Sequence, residues 1–135
     1  FKLHPGIREW HRRVERDLQL KRAVSNRFGY RIVYFDRPDN LLPKGLAWIP
    51  QSTIACVCSR AAVSLSKQAP WVNILLQVHD SLVFQIPNHR IGDLKSIRAA
   101  ISVEIPYEDP LTIPWGLALS ERSWGDIQKK KWEDV

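Results

Sequence analysis

Apolar side chains recur at spacings of three and four near the start of the chain. Ile7, Trp10, Val14 and Leu18 form one stripe, and with Pro5 suited to a first turn the spacing predicts a helix over residues 5–23. Arg8, Arg12 and Arg16 form a second stripe on another face. The pattern then changes. Ala23–Phe35 is β-like, bent at Phe28-Gly29-Tyr30 and continued by the branched and aromatic run Ile32-Val33-Tyr34-Phe35. Arg37-Pro38-Asp39-Asn40, followed by Pro43 and Gly45, reads as a loop.

A second helix is expected from Pro50 to about Lys67, with Ile54, Val57, Cys58, Ala61 and Leu65 on one face. Val72–Pro87 reads as a hairpin of two apolar strands around a short polar break. Arg90–Ser102 fits a third helix, with Ile91, Leu94, Ile97 and Ile101 inward. Alternation at Leu111, Ile113, Trp115, Leu117 and Leu119 predicts a strand, which Pro114 restricts to an edge or a bulge. Lys129-Lys130-Lys131 reads as a frayed, solvated end. Helices and strands mix without the regular alternation of parallel-sheet folds, so the expected class is antiparallel α+β.

Length and composition allow one compact domain. The chain has 135 residues, of which 44% are hydrophobic, and no apolar run approaches the ~18 residues of a membrane span. Cys56 and Cys58 cannot make a disulfide framework and lack zinc spacing; core thiols in a reducing compartment are expected. His4, His11 and His89 read as surface groups, and most of the tryptophans as core. Trp48, beside Gln51, is the one with a possible base or sugar contact. The sequence contains no Met and starts at Phe1, as expected of a processed chain or a fragment.

Charge is unevenly placed. Residues 1–31 hold nine basic and three acidic side chains, so the whole formal net charge of +6 belongs to them. Such asymmetry suits an anionic partner, nucleic acid or a membrane surface. It also suits a solvated helix face laced with i,i+4 pairs, Glu9–Arg13 and Asp17–Lys21.

His79-Asp80 occupies the break of the hairpin. Apolar flanks explain the strands but not the choice of His-Asp over Asn-Gly. A carboxylate held at a rigid tip suits a hard cation such as Mg²⁺. Asp is equally an ordinary turn residue.

The segment Leu76-Gln77-Val78-His79-Asp80-Ser81-Leu82-Val83-Phe84 resembles motif C of the family A DNA polymerases, usually Q-V-H-D-E-[LI]-V. Four other segments agree in order. His4-Pro5-Gly6-Ile7-Arg8-Glu9-Trp10 resembles the family's Y-P-G helix opening, and Asn26–Arg31 its T-x-x-G-R-R turn. Trp48–Thr53 is similar to its N-x-P-x-Q-[GS]-[TS] helix start, in a form like that of bacteriophage members. Ser120-Glu121-Arg122-Ser123-Trp124 resembles S-G-x-N-W. The resemblance spans residues 3–128.

The resemblance implies a palm-type antiparallel sheet and a DNA polymerase of a bacterial or phage-infected cytoplasm, with primer-template DNA and deoxynucleoside triphosphates as partners. The reaction it implies is attack of a primer 3′-hydroxyl on the α-phosphate of a deoxynucleotide, at a pair of Mg²⁺ ions. On the same footing Asp80 maps to a metal ligand and His79 to a residue placing the primer terminus. Gln51 maps to a minor-groove reader, and Arg31, Arg27 and Lys44 to backbone contacts.

Departures qualify that mapping. Ser81 replaces the usual Glu, Ala47 the usual Asn, and Tyr30 the first Arg of the turn. Motif A (D-x-S-x-x-E) and the fingers helix pattern K-x(6)-[YF]-G are absent from this sequence. The expectation is therefore a C-terminal polymerase fragment, inactive alone, that needs the missing N-terminal portion and exposes a sheet edge or apolar face. The alternatives are a non-catalytic DNA-binding module derived from a palm and an unrelated basic α+β domain.

Overall fold

The structure, a computed structural model, describes residues 3–35 and 41–134. It is 51% helix and 21% strand, with every strand pair antiparallel, which makes the class α+β. Two compact units divide the chain, Phe1–Cys56 and Val57–Val135.

In the first unit, helix α1 (Pro5–Lys21) follows the expected stripe except at Ile7, which is exposed. Val14 and Leu18 are buried, Trp10 is half-buried, and Arg8, Arg12 and Arg16 face solvent. Of the two expected ion pairs, Asp17–Lys21 forms at 3.2 Å and Glu9–Arg13 does not. Arg22 ends the helix in the left-handed conformation, and β1 (Ala23–Ser25) and β2 (Arg31–Val33) then pair across the turn at 26–30. Val24 and Tyr34 join Val14, Leu18 and Leu41 in a small core.

Helix α2 (Leu41–Gln68) corrects the sequence reading. Part of the expected loop, residues 37–40, lies outside the described residues, but Pro43 and Gly45 are helical. The helix thus begins nine residues before Pro50. Two physical facts reconcile this with the sequence. Pro43 sits in the first turn, where an N–H has no intrahelical partner to lose. Gly45 is where α2 meets α1: a Cβ there would lie 2.9 Å from Leu18 Cδ1 and 3.4 Å from Val14 Cγ1. Pro50 stays inside the helix at the cost of one donor to the carbonyl of Leu46. Ser52 and Thr53 direct their hydroxyls to the carbonyl of Ile49, at 3.1 and 2.7 Å, beside that break.

The second unit is built on the later part of α2, whose Ala61 and Leu65 are fully buried. The expected hairpin is present as β3 (Asn73–Val78) and β4 (Ser81–Gln85). Ile74, Leu82 and Phe84 pack on the core, and Leu75 is the extra residue of a bulge. Leu75, Leu76 and Val78 remain exposed.

Where a third helix was expected from Arg90, the structure has a 3₁₀ segment (Asn88–Asp93) leading into α3 (Leu94–Ile101). Leu94, Ile97 and Ile101 point inward as expected, while Ile91, in the 3₁₀ segment, is exposed. The single strand expected over 111–119 is two. β6 (Leu111–Thr112) pairs with β5 (Glu104–Ile105), and β7 (Leu117–Leu119) pairs with β8 (Gln128–Lys130). Pro114, which cannot donate to a ladder, lies in the break.

The run Lys129-Lys130-Lys131 is solvated as expected but is not frayed. Lys129 and Lys130 are strand residues, and Trp132 is buried, its Nε1–H donating to the carbonyl of Trp115 at 2.6 Å. Among the described residues each sheet has two strands. Among the described residues no helix is long and apolar enough to cross a membrane.

Candidate functional site

Strands β3 and β4 stay in register to Val78↔Ser81, which leaves His79 and Asp80 as the whole of a two-residue turn. Such turns demand positive φ at their first position, the usual place of glycine. His79 adopts it, at φ 52°. Histidine is among the few side chains that tolerate this region, yet it still costs about 1–2 kcal/mol relative to an ordinary conformation. The apolar strands hold the tip from below, and both turn side chains are exposed.

Asp80 also acts inward. Cys58, on the buried face of α2, is 1% exposed. Burial raises its thiol pKa above the usual value, and the negative charge of Asp80 raises it further. Both cysteines are free thiols; Cys58 is buried as expected of a core thiol, whereas Cys56 is only half-buried.

The tip can be tested against the expected magnesium pair. Mg²⁺ keeps several waters and takes one or two carboxylates. Asp80 could serve as one such carboxylate; Ser81 adds no charge, and the imidazole of His79 is a poor match for a hard ion. Among the described residues no group of three His, Cys, Asp or Glu side chains gathers where an ion could sit. The tip itself offers a single carboxylate, that of Asp80.

The other expected site residues belong to the first unit, and Asn26 organises the turn that carries Arg27 and leads to Arg31. Its Oδ1 accepts from the backbone N–H groups of Phe28 and Tyr30, both at 3.0 Å. Its Nδ2 donates to Ser52 Oγ at 3.2 Å and to Cys56 Sγ at 3.4 Å. One buried amide thus shapes the turn carrying Arg27 and leading to Arg31, and fastens it to α2 one residue beyond Gln51. Gly29 supplies the positive φ, 86°, that closes the turn. Arg27, Arg31 and Gln51 are all exposed.

Lys44 lies in the first turns of α2 near Tyr34. Burial raises the Tyr34 phenol pKa, and the Lys44 ammonium offsets part of that rise. Trp48 is half-buried against the small core, which makes it a packing residue first. His4 and His89 are exposed; His11 is half-buried, its ring edge-on to Trp10.

Sequence reading assigned Asn26 no role. The signal was present: Asn three residues before Gly is the pattern of a side chain that bonds its own turn. The link from Asp80 to Cys58 had no local signal, because the two are 22 positions apart. No protein-family model, curated protein or solved structure matches the chain.

Proposed function

We propose that this chain is the C-terminal palm portion of a family A DNA-directed DNA polymerase. In this reading it contributes Asp80 to a deoxynucleotidyl-transfer site that another polypeptide segment completes. The observation that carries the reading is the hairpin tip, where a histidine accepts a left-handed backbone to hold a single carboxylate exposed between two core-anchored strands. Packing does not require that pair; glycine at the first turn position would make the same turn without the cost. Strain retained at a tip points to a role for its side chains.

Five motif-like segments in order support the same reading. Within it His79 places the primer terminus, Gln51 contacts the minor groove, and Arg31, Arg27 and Lys44 contact backbone phosphates. Its partners are primer-template DNA, deoxynucleoside triphosphates and the N-terminal polymerase portion, in the cytoplasm of a bacterial or phage-infected cell. The Mg²⁺ pair would need its other carboxylate from outside this chain.

The test is complementation. Mixed with a polypeptide carrying motif A and the fingers, the chain is expected to restore primer extension that neither partner shows alone, and Asp80→Ala to abolish it. A verified complex without extension overturns the proposal.

A second reading, a non-catalytic DNA-binding module derived from a palm, is favoured by Ser81 and by the solvent-facing stripe Arg8, Arg12 and Arg16. These lie about 6 Å apart along the helix, on the face opposite Val14. It predicts primer-template affinity that falls steeply with salt and is indifferent to Asp80→Ala.

A further inference from the structure

We infer that Tyr30 is a stacking platform for an unpaired base, so that the turn from Asn26 to Arg31 takes a single-stranded nucleic acid. The inference rests on the nucleic-acid-binding part of the proposed function but makes no use of Asp80. The polymerase pattern carries arginine at this position, so the argument comes from the tyrosine that this chain has instead.

Four observations converge. The Tyr30 backbone is fixed on both sides, its N–H donating to Asn26 Oδ1 at 3.0 Å and its carbonyl accepting from the Asn26 N–H at 2.8 Å. Asn26 is itself 6% exposed and fastened to α2, so the turn is held before any ligand arrives. The ring nevertheless points out: Tyr30 is 62% exposed and packs in neither core cluster. Apart from its two chain neighbours, nothing comes within 4 Å of where a Gly29 Cβ would be, so no other segment covers the turn next to Tyr30.

Charge then selects the occupant. Exposed Arg27 and Arg31 flank the aromatic, in the segment that carries all of the net positive charge. An exposed ring on a fixed backbone, with cationic residues one and three positions away in the chain, is an arrangement suited to a polyanion with accessible π-faces. A duplex hides its base faces in the stack and offers the ring little. An unpaired strand offers both a face to Tyr30 and phosphates to the arginines. Because the ring faces open solvent, ordering costs fall mainly on the ligand.

The experiment is fluorescence anisotropy on the full chain with four labelled probes. Three are oligothymidylate, oligouridylate and an abasic strand, each about 15 nucleotides long, and the fourth is a duplex. Tyr30→Ala is expected to weaken oligothymidylate binding about tenfold, and Tyr30→Phe, which keeps the π-face, by less than about twofold. Binding to the abasic strand and the duplex should be unchanged in both variants, since those probes use phosphates alone. An equal loss on oligouridylate assigns the site to either sugar; a loss on one probe assigns that sugar.

The inference is overturned if Tyr30→Ala binds oligothymidylate like the parent chain, or loses as much on the abasic strand. Duplex binding that persists in that case leaves the wider proposal standing. Absence of binding to every probe removes both. Failed complementation with the Tyr30 effect intact removes only the polymerase assignment.

Discussion

Asn26 Nδ2 donates to Cys56 Sγ across 3.4 Å, joining two residues thirty positions apart and closing a network that also includes Ser52. All four hydrogen-bonding positions of this side-chain amide are used: two N–H groups of the turn on one side, two acceptors on α2 on the other. Asn26→Ala should therefore leave the Phe28 and Tyr30 donors without their partner and cost about 2 kcal/mol. Asn26→Asp keeps the acceptors but loses both donors and buries a charge, so it should cost at least as much. Urea unfolding of the two variants measures this; a change below about 0.5 kcal/mol in both would show that the turn forms without the amide.

Gly45 and Leu18 set a second relationship whose sign can be read. Alanine in place of a helical glycine normally gains about 1 kcal/mol. Here the new Cβ would sit 2.9 Å from a buried Leu18 methyl, with Val14 close behind. Overpacking of that kind costs about 1–3 kcal/mol. Gly45→Ala alone should be neutral to destabilising. In a Leu18→Ala background, where the clash is gone, the same change should become stabilising by about 1 kcal/mol. A double-mutant cycle reads that reversal directly; equal effects in both backgrounds would place the two helices further apart.

That close approach also explains what the sequence did and did not disclose. The α1 stripe, the hairpin and the inward face of α2 were legible because each is a repeating local pattern. The start of α2 was not, because Pro43, Gly45 and Pro50 carry strong local signals for a loop. Tertiary packing overrides them: Gly45 is selected for its missing Cβ, not its flexibility. Trp132 is the same lesson at the other end. A lysine run reads as solvated, yet the tryptophan after it finds a buried place and a carbonyl partner that only the folded chain provides. The place of Asp80 in a hairpin turn was legible from the two flanking apolar strands, whereas its charge on Cys58 depends on the fold bringing the turn near α2.

Trp132 should be the main anchor of the C-terminal segment. It is 7% exposed, and its indole N–H bonds the Trp115 carbonyl, while the Trp115 indole bonds the Ile101 carbonyl at 2.9 Å. Trp132→Ala should cost about 3–5 kcal/mol. Trp132→Phe, which removes the donor and keeps most of the ring, should cost about 1–2 kcal/mol. The neighbouring Arg98–Glu133 pair, 3.5 Å apart and largely solvated, should contribute under about 0.5 kcal/mol when Glu133→Gln is tested. Thermal or urea denaturation separates the three.

Alkaline pH should weaken the second unit through Cys58. Its folded pKa is raised by burial first and by Asp80 second. The unfolded chain therefore releases this proton at lower pH than the folded one does. Stability is fully present below the ordinary thiol range and is lost as pH rises through it toward the raised folded value. Cys58→Ala should flatten that part of the alkaline stability profile, and Asp80→Asn should move the thiol titration to lower pH without restoring it to normal. Ultraviolet thiolate absorbance, with Cys56→Ser as background, follows the titration; an Asp80→Asn variant with an unmoved curve would contradict the proximity.

His79 holds a backbone conformation at the hairpin tip that costs stability. With φ at 52°, the position suits glycine, which pays no Cβ penalty there, and resists a β-branched side chain. His79→Gly should leave the chain as stable or stabilise it by up to about 1 kcal/mol, after the added unfolded-state entropy of glycine is offset. His79→Val should destabilise it by about 1–2 kcal/mol. If the imidazole is retained for the primer terminus, the more stable glycine variant should lose extension in the complementation assay while still forming the complex. The alternative is plain: a glycine variant that is both stable and fully active would mean the histidine is only a tolerated turn residue, and the carboxylate of Asp80 would carry the site alone.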